Sequence, residues 1–179
     1  MQKYVLLDRD GVINHDSDDY IKSPEEWHPI AGSLEAIALL NKHDYKVVVI
    51  TNQSGLSRGY YDESILAAIH EKMHHLVADK GGIIDSIFYC PHHPDDNCAC
   101  RKPKPGLLNQ FAKENNTSLT NIYFIGDKLG DAQAAIAAGA KPMLVKTGTK
   151  KNTFNKNSNI NSPIFEDLYD AAKFIISEK

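Results

Sequence analysis

The chain has 179 residues, of which 42% are hydrophobic and 24% charged, and 20 Lys plus Arg against 23 Asp plus Glu leave a formal charge of -3. That length fits one domain, 1–179, able to bury roughly 70% of the surface its unfolded chain would expose. The charge balance gives no electrostatic case for nucleic acid or an anionic membrane, and no apolar run approaches the ~20 residues that span a bilayer.

The first apolar run, Tyr4–Leu7, is short and reads as a strand, with no signal peptide before it, so a cytoplasmic protein is expected. It ends in Asp8-Arg9-Asp10-Gly11, and an acidic loop, His15 to Tyr20, follows. Leu34, Ile37 and Ala38 then share a helical face, with Ser33 as its N-cap. A second strand, Val47–Ile50, ends in Thr51-Asn52-Gln53-Ser54-Gly55. Ile65, Ile69 and Met73 recur at helical spacing, joined by Leu66, Leu76 and Val77, and Asp62 caps that helix. A third strand, Ile87–Tyr89, ends in Cys90-Pro91-His92-His93.

Leu107, Leu108, Phe111 and Ala112 make the next helical stripe, with Pro105 in its first turn. Strand Ile122–Ile125 ends in Gly126-Asp127-Lys128, helix Asp131–Ala138 ends at Gly139, and a fifth strand is Met143–Val145. Residues 147–163 are polar and Asn-rich and read as a surface loop, and the last helix is expected over Phe165–Ile176. Strands apolar on consecutive positions are buried on both faces. Their alternation with helices predicts an α/β fold with a doubly wound, mainly parallel sheet. No long apolar seam points to an oligomer, so a monomer is expected.

Ligands of such sheets bind beyond the carboxyl ends of the strands, where the polar tetrads and pentads above all lie. Asp8 and Asp10 are two apart and project to one side of an extended chain. Close carboxylates repel, and Mg²⁺, an oxygen-seeking ion that keeps waters and phosphate oxygens as ligands, relieves this. Asp127 supplies a third carboxylate. By itself an Asp-x-Asp pair reads as a strand-end turn; the set at several strand ends carries the argument. All three cysteines fall within eleven residues, and Cys90, His92, Cys98 and Cys100 form C-x-H-x5-C-x-C, a donor set suited to tetrahedral Zn²⁺. His93 competes with His92 on spacing alone. His28, His43, His70, His74 and His75 read as surface or helix-face residues, and Trp27 as packing.

Asp8-Arg9-Asp10-Gly11, Thr51, Lys102 and Gly126-Asp127 resemble the four motifs of the haloacid dehalogenase (HAD) superfamily of phosphohydrolases. The runs LDRDGVIN at 7–14, TNQSG at 51–55, CPHHP at 90–94, CACRKPKPG at 98–106 and GDKLGD at 126–131 are similar to its D,D-heptose 1,7-bisphosphate phosphatase branch. The resemblance covers residues 1 to about 150. It implies a HAD-like Rossmannoid sheet with Asp8 as nucleophile, Asp10 as acid and base, and Thr51 and Lys102 holding the phosphoryl oxygens. It also implies Mg²⁺ on Asp8, the main-chain carbonyl of Asp10 and Asp127, with Asp131 outside that set. The zinc loop, 90–100, is structural in this family, whose pattern selects His92 over His93.

Between the expected elements no inserted cap domain has room, so loops read the substrate, a small sugar phosphate. The candidate readers are Asp16, Asp19, Tyr20, Asn52, Gln53, Ser54, Arg58, Arg101 and Lys128. The reaction implied is removal of the C7 phosphate from D-glycero-D-manno-heptose 1,7-bisphosphate, on the route to nucleotide-activated heptose for lipopolysaccharide, with the anomer open. Histidinol-phosphate phosphatase is the alternative. A phospho-accepting receiver domain is disfavoured, because its acceptor Asp follows strand three, where this chain has Cys90-Pro91.

Overall fold

A computed structural model describes residues 2–148 and 160–178. Six strands form one wholly parallel sheet: β1 (Lys3–Leu7), β2 (Tyr45–Asn52), β3 (Ser86–Cys90), β4 (Tyr123–Gly126), β5 (Lys141–Val145) and β6 (Ile164–Phe165), in the order β3-β2-β1-β4-β5-β6. Five helices connect or follow them: α1 (Ser33–Lys42), α2 (Glu63–Asp79), α3 (Gly106–Glu114), α4 (Leu129–Ala138) and α5 (Leu168–Ser177).

Alternate residues of each strand serve opposite faces. Val5, Leu7, Val47 and Val49 pack with Leu34, Ile37, Ile69, Met73, Leu168 and Ile175 of α1, α2 and α5. Leu6, Val48, Ile50 and Phe124 pack with Leu107, Leu108, Phe111, Ala134 and Ala135 of α3 and α4. Helices on both faces explain why the strands are apolar on consecutive residues. Trp27 is fully buried in the first of these cores, as a packing residue would be.

The chain winds outward from β1 through β2 to β3, then returns to lay β4 against the other side of β1. Strand order therefore reverses between β1 and β4, whose register pairs Leu7 with Ile125. The Asp8 N–H extends that ladder to the Ile125 carbonyl, 2.9 Å away. The carboxylates that follow β1 and β4 thus emerge side by side at the switch point, where such sheets bind ligands.

Two local expectations are corrected. Gly32, at φ 82°, and not Ser33, occupies the N-cap of α1; Ser33 is already helical, and its hydroxyl donates to the Ile13 carbonyl at 2.6 Å. The last helix starts at Leu168, not Phe165, because Phe165 belongs to β6 and packs against Phe174, ring centroids 5.2 Å apart. Asp167 caps α5 instead, accepting from the Asp170 N–H at 2.8 Å. Asp62 does cap α2, and Gly139, at φ 78°, ends α4. Of the polar loop expected over 147–163, residues 149–159 lie outside the described ones.

Candidate active site

Asp8 leaves the end of β1 with its side chain buried. Its Oδ1 accepts from the Arg9 N–H at 2.8 Å and lies 3.1 Å from Lys102 Nζ. The same ammonium reaches Asp131 Oδ1 at 2.7 Å and the Ile50 carbonyl at 2.9 Å. Asn52 sets the Lys102 main chain in place: its Oδ1 accepts the Lys102 N–H at 3.1 Å and its Nδ2 donates to the Lys102 carbonyl at 3.2 Å. Burial opposes the charge on Lys102, but Asp131 and Asp8 outweigh it and raise its pKa.

Asp131, in the first turn of α4, turns its Oδ2 back to the N–H groups of Asp127 and Lys128, at 3.2 and 3.0 Å. Asp8, Asp127 and Asp131 each offer an oxygen within 4.8 Å of the others. Asp127 Oδ1 is buried and has no hydrogen-bond partner among the described residues. Burial first, then the charge of Asp8, pushes Asp127 up to about 8; burial pushes Asp8 up to about 6, although Lys102 opposes it. A divalent cation relieves both strains and supplies the missing partner, so the donor set fits Mg²⁺. Two glycines make the crowding possible. A Cβ on Gly11 or on Gly148 would collide with Asp127 Oδ2, and the Thr147 hydroxyl ties the two segments by donating to the Gly11 carbonyl at 2.7 Å.

Asp10 is held differently. Its Oδ1 accepts from Arg9 Nε at 3.0 Å, Arg9 Nη2 at 2.8 Å and Asn14 Nδ2 at 2.9 Å, and its Oδ2 accepts from Gln53 Nε2 at 3.0 Å. Burial raises its pKa, but the Arg9 charge and these hydrogen bonds prevail and hold the carboxyl below its usual range. Gln53 Nε2 also donates to Thr51 Oγ1 at 3.0 Å, while its Oε1 accepts from the Tyr61 hydroxyl at 2.6 Å. An acceptor-only carboxylate on one side and a hydroxyl donor on the other fix which way that amide points.

Asp8, Asp10, Thr51, Gln53, Lys102 and Asp131 line a cleft of roughly 320 Å³, with Asp16, Tyr20, Ser54, Arg101 and Lys128 around it. Arg101 Nη1 is buried without a hydrogen-bond partner among the described residues. Lys128 Nζ lies 2.9 Å from Asp16 Oδ2 and 4.0 Å from Asp127 Oδ2. Burial opposes its charge, but Asp127 and Asp8, then Asp16, raise its pKa. Pairing with Lys128 gives the acidic loop its place beside an anion site.

Two expected readers lie off the cleft. Arg58 is exposed and stacks over the Tyr20 ring, 5.8 Å from its centroid, because Tyr20 packs edge-on against Tyr60 at 5.1 Å. Asp19 is exposed in a shallow depression shared with Tyr20, Lys22 and Tyr60. Asn52 and Gln53 line the cleft, yet their amides are committed to Lys102 and to Asp10 with Thr51. His70, read from the sequence as a surface or helix-face residue, is buried against Arg9. Asn14, Tyr61 and His70 are the site residues that sequence reasoning missed. Asn14 stands four residues after Asp10, but nothing local marks Tyr61 or His70.

The cysteine loop closes on itself. Cys90 Sγ lies 2.9 Å from Cys100 Sγ and 3.5 Å from Cys98 Sγ, and the Cys98–Cys100 edge is 3.6 Å. His92 Nδ1 lies 3.2 Å from Cys100 Sγ and 3.5 Å from Cys90 Sγ. A tetrahedron with metal–sulfur bonds of about 2.3 Å has edges of about 3.8 Å, so the cluster is compatible with one zinc ion. His93 instead caps a short 3-10 turn, its Nδ1 accepting from the Asp95 N–H at 3.2 Å, and it is the His92 ring that lies among the thiols.

Residues 5–162 match the family model for polynucleotide kinase 3 phosphatase. A D-glycero-beta-D-manno-heptose-1,7-bisphosphate 7-phosphatase of Pseudomonas putida is 51% identical over 97% of this chain and 99% of its own length, and one of Pseudomonas aeruginosa is 50% identical over 96% and 97%. The crystal structure of D,D-heptose 1,7-bisphosphate phosphatase from Bordetella bronchiseptica, complexed with magnesium and phosphate, superposes with a TM-score of 0.95 at 47% identity, covering 99% of each chain. Identity at this level over nearly the full length, with the fold shared, means that the chain belongs to the heptose 1,7-bisphosphate phosphatase family of the HAD superfamily.

Proposed function

We propose that the protein hydrolyses the C7 phosphate of D-glycero-beta-D-manno-heptose 1,7-bisphosphate and leaves heptose 1-phosphate. The observation that carries the chemistry is the buried set of Asp8, Lys102, Asp127 and Asp131 at the switch point, with Asp127 Oδ1 unpartnered. The substrate comes from the relatives' names, and the β anomer with it.

Asp8 is the nucleophile. With Oδ1 held by Lys102 and the Arg9 N–H, its carboxylate attacks phosphorus, the P–O bond to C7 breaks, and an aspartyl-phosphate forms. Asp10 donates a proton to the departing C7 alkoxide and then takes one from the water that attacks the phospho-enzyme, releasing inorganic phosphate. Held ionised in the free protein, Asp10 acquires that first proton as the phosphate dianion enters beside it. Thr51 and Lys102 hold the transferring oxygens. Asp8, the main-chain carbonyl of Asp10 and Asp127 would hold magnesium, which would neutralise charge on the phosphoryl group.

Arg101 suits the second phosphate, Lys128 and Ser54 the rest of the sugar, with Asp16 and Tyr20 at the rim. Asn52 and Gln53 support the machinery in place of reading the sugar. Cys90, His92, Cys98 and Cys100 would hold a zinc ion, which would clip the loop that carries Arg101 and Lys102. The whole chain acts as one domain.

The test is phosphate release with Mg²⁺ from the β bisphosphate, beside its α anomer, histidinol phosphate and a 3′-phosphorylated oligonucleotide. Preference for the β bisphosphate supports the reading, and Asp8→Asn should then abolish turnover. Preference for histidinol phosphate or the oligonucleotide would move the substrate and keep the chemistry.

A further inference from the structure

His70 lies on α2, outside the cleft, and the chemistry above leaves it unused. It is buried, at 8% exposure, and its Nε2 stands 3.0 Å from Nη1 of Arg9, which is itself 0% exposed. A guanidinium only donates, so Nε2 must accept, and the imidazole is the neutral tautomer protonated on Nδ1. The rest of the Arg9 fork is spent on one oxygen of Asp10, through Nε and Nη2. Arg9 is thus held between a rigid acceptor on a long helix and the carboxylate facing the cleft. Burial, then the Arg9 charge, lowers the His70 pKa to about 3, consistent with a permanently neutral ring.

We propose that His70 is a positioning residue for the phosphatase reaction: by accepting the Arg9 Nη1 proton, it keeps the guanidinium forked onto Asp10 and so fixes the direction of the Asp10 carboxylate. Without that acceptor a buried N–H is left unpaired, which is costly, and the guanidinium turns toward another partner. Asp10 then loses the two-pronged grip on Oδ1 while substrate contacts stay in place. This rests on the reading of Asp10 as acid and base, so the same assays include Asp10→Asn.

The experiment compares His70→Leu and His70→Gln, the latter still offering an acceptor oxygen, in steady-state turnover of the bisphosphate, with melting curves for each. Expected is a kcat about 10-fold or more lower in His70→Leu at a KM within about twofold of wild type, and recovery of most of that loss in His70→Gln. A raised KM at unchanged kcat, full activity of His70→Leu beside an inactive Asp10→Asn, or equal losses in both His70 variants would overturn the proposal. Turnover by Asp10→Asn would instead refute the acid–base reading. The ¹⁵N signature of His70 in the wild-type protein needs no folded variant: an unprotonated Nε2 at neutral pH is expected, and a protonated one would overturn the assignment.

Discussion

Side chains two residues apart on one strand end have opposite electrostatic fates here. Asp8 is buried beside other carboxylates and is pushed up to about 6; Asp10 sits among donors and is held down. The difference lies in what surrounds each: burial, with Asp131 adding to it and Lys102 opposing it, raises Asp8, while the Arg9 charge and hydrogen bonds from Asn14, Arg9 and Gln53 hold Asp10 down. The types and spacing of these residues were legible in the chain, but the commitment of the Asn52 amide to Lys102 and of the Gln53 amide to Asp10 was not, because those partners stand 50 and 43 residues away in sequence. Gly148 illustrates the same point. Replacing it with Ala drives a methyl group into Asp127, so Gly148→Ala should weaken Mg²⁺ binding by 10-fold or more, on the order of 1.4 kcal/mol, in a calorimetric titration of folded protein. Unchanged affinity would mean that the main chain there shifts freely. His70 carries a pH prediction. Its folded pKa is depressed to about 3 from 6.5, so between these values the unfolded chain binds the extra proton. Its contribution to stability is therefore complete above pH 6.5 and is lost as pH falls toward 3. His70→Gln should narrow the drop in melting temperature between pH 7.5 and pH 5; an identical drop would rule out His70 as a source of acid sensitivity.

At the scale of elements, the strands and helices were readable wherever a hydrophobic period or a cap was local. Asp62 and Gly139 mark their helix ends by short-range chemistry that any context preserves. Ser33 misled because a serine beside a glycine at φ 82° has its hydroxyl drawn to Ile13, a tertiary contact. β6 escaped notice because two residues carry no period; the edge of β5 creates it. The cysteine loop is an irregular element whose three thiols and His92 ring lie side by side. Lys102 follows Cys100 by two residues, so the fate of the loop is the fate of the cleft. Cys98→Ser should lower bound zinc below one per chain by elemental analysis, and it should lower both melting temperature and kcat. Full zinc content with intact activity would show that the thiols merely lie close together.

Over the whole molecule, one topological event makes the site. Reversal of strand order between β1 and β4 brings Asp8 and Asp127 together beside the cleft that Asp8, Lys102 and Asp131 line. The sheet is covered on both faces, which lets it carry three buried carboxylates in mutual repulsion. A cation that binds only the folded arrangement stabilises it by mass action, about 2.7 kcal/mol when present at a hundred times its dissociation constant. Saturating Mg²⁺ should therefore raise the melting temperature, EDTA should reverse the rise, and Asp127→Asn should abolish it. A rise that survives in Asp127→Asn would put the ion elsewhere.

The sequence by itself determined the α/β class, the parallel sheet, five of the six strands, the ordered carboxylates at the strand ends and the cysteine loop. Each of these is written in patterns of a few residues: hydrophobic period, cap chemistry and motif spacing act locally. Only the tertiary structure decided that His92 and not His93 joins the thiols, that Arg58 stacks on Tyr20 away from the cleft, that Gln53 serves Asp10 and Thr51, and that Arg9 reaches back to His70. These outcomes depend on which distant segments the packed core places within hydrogen-bond reach, and neither composition nor local period encodes that distance.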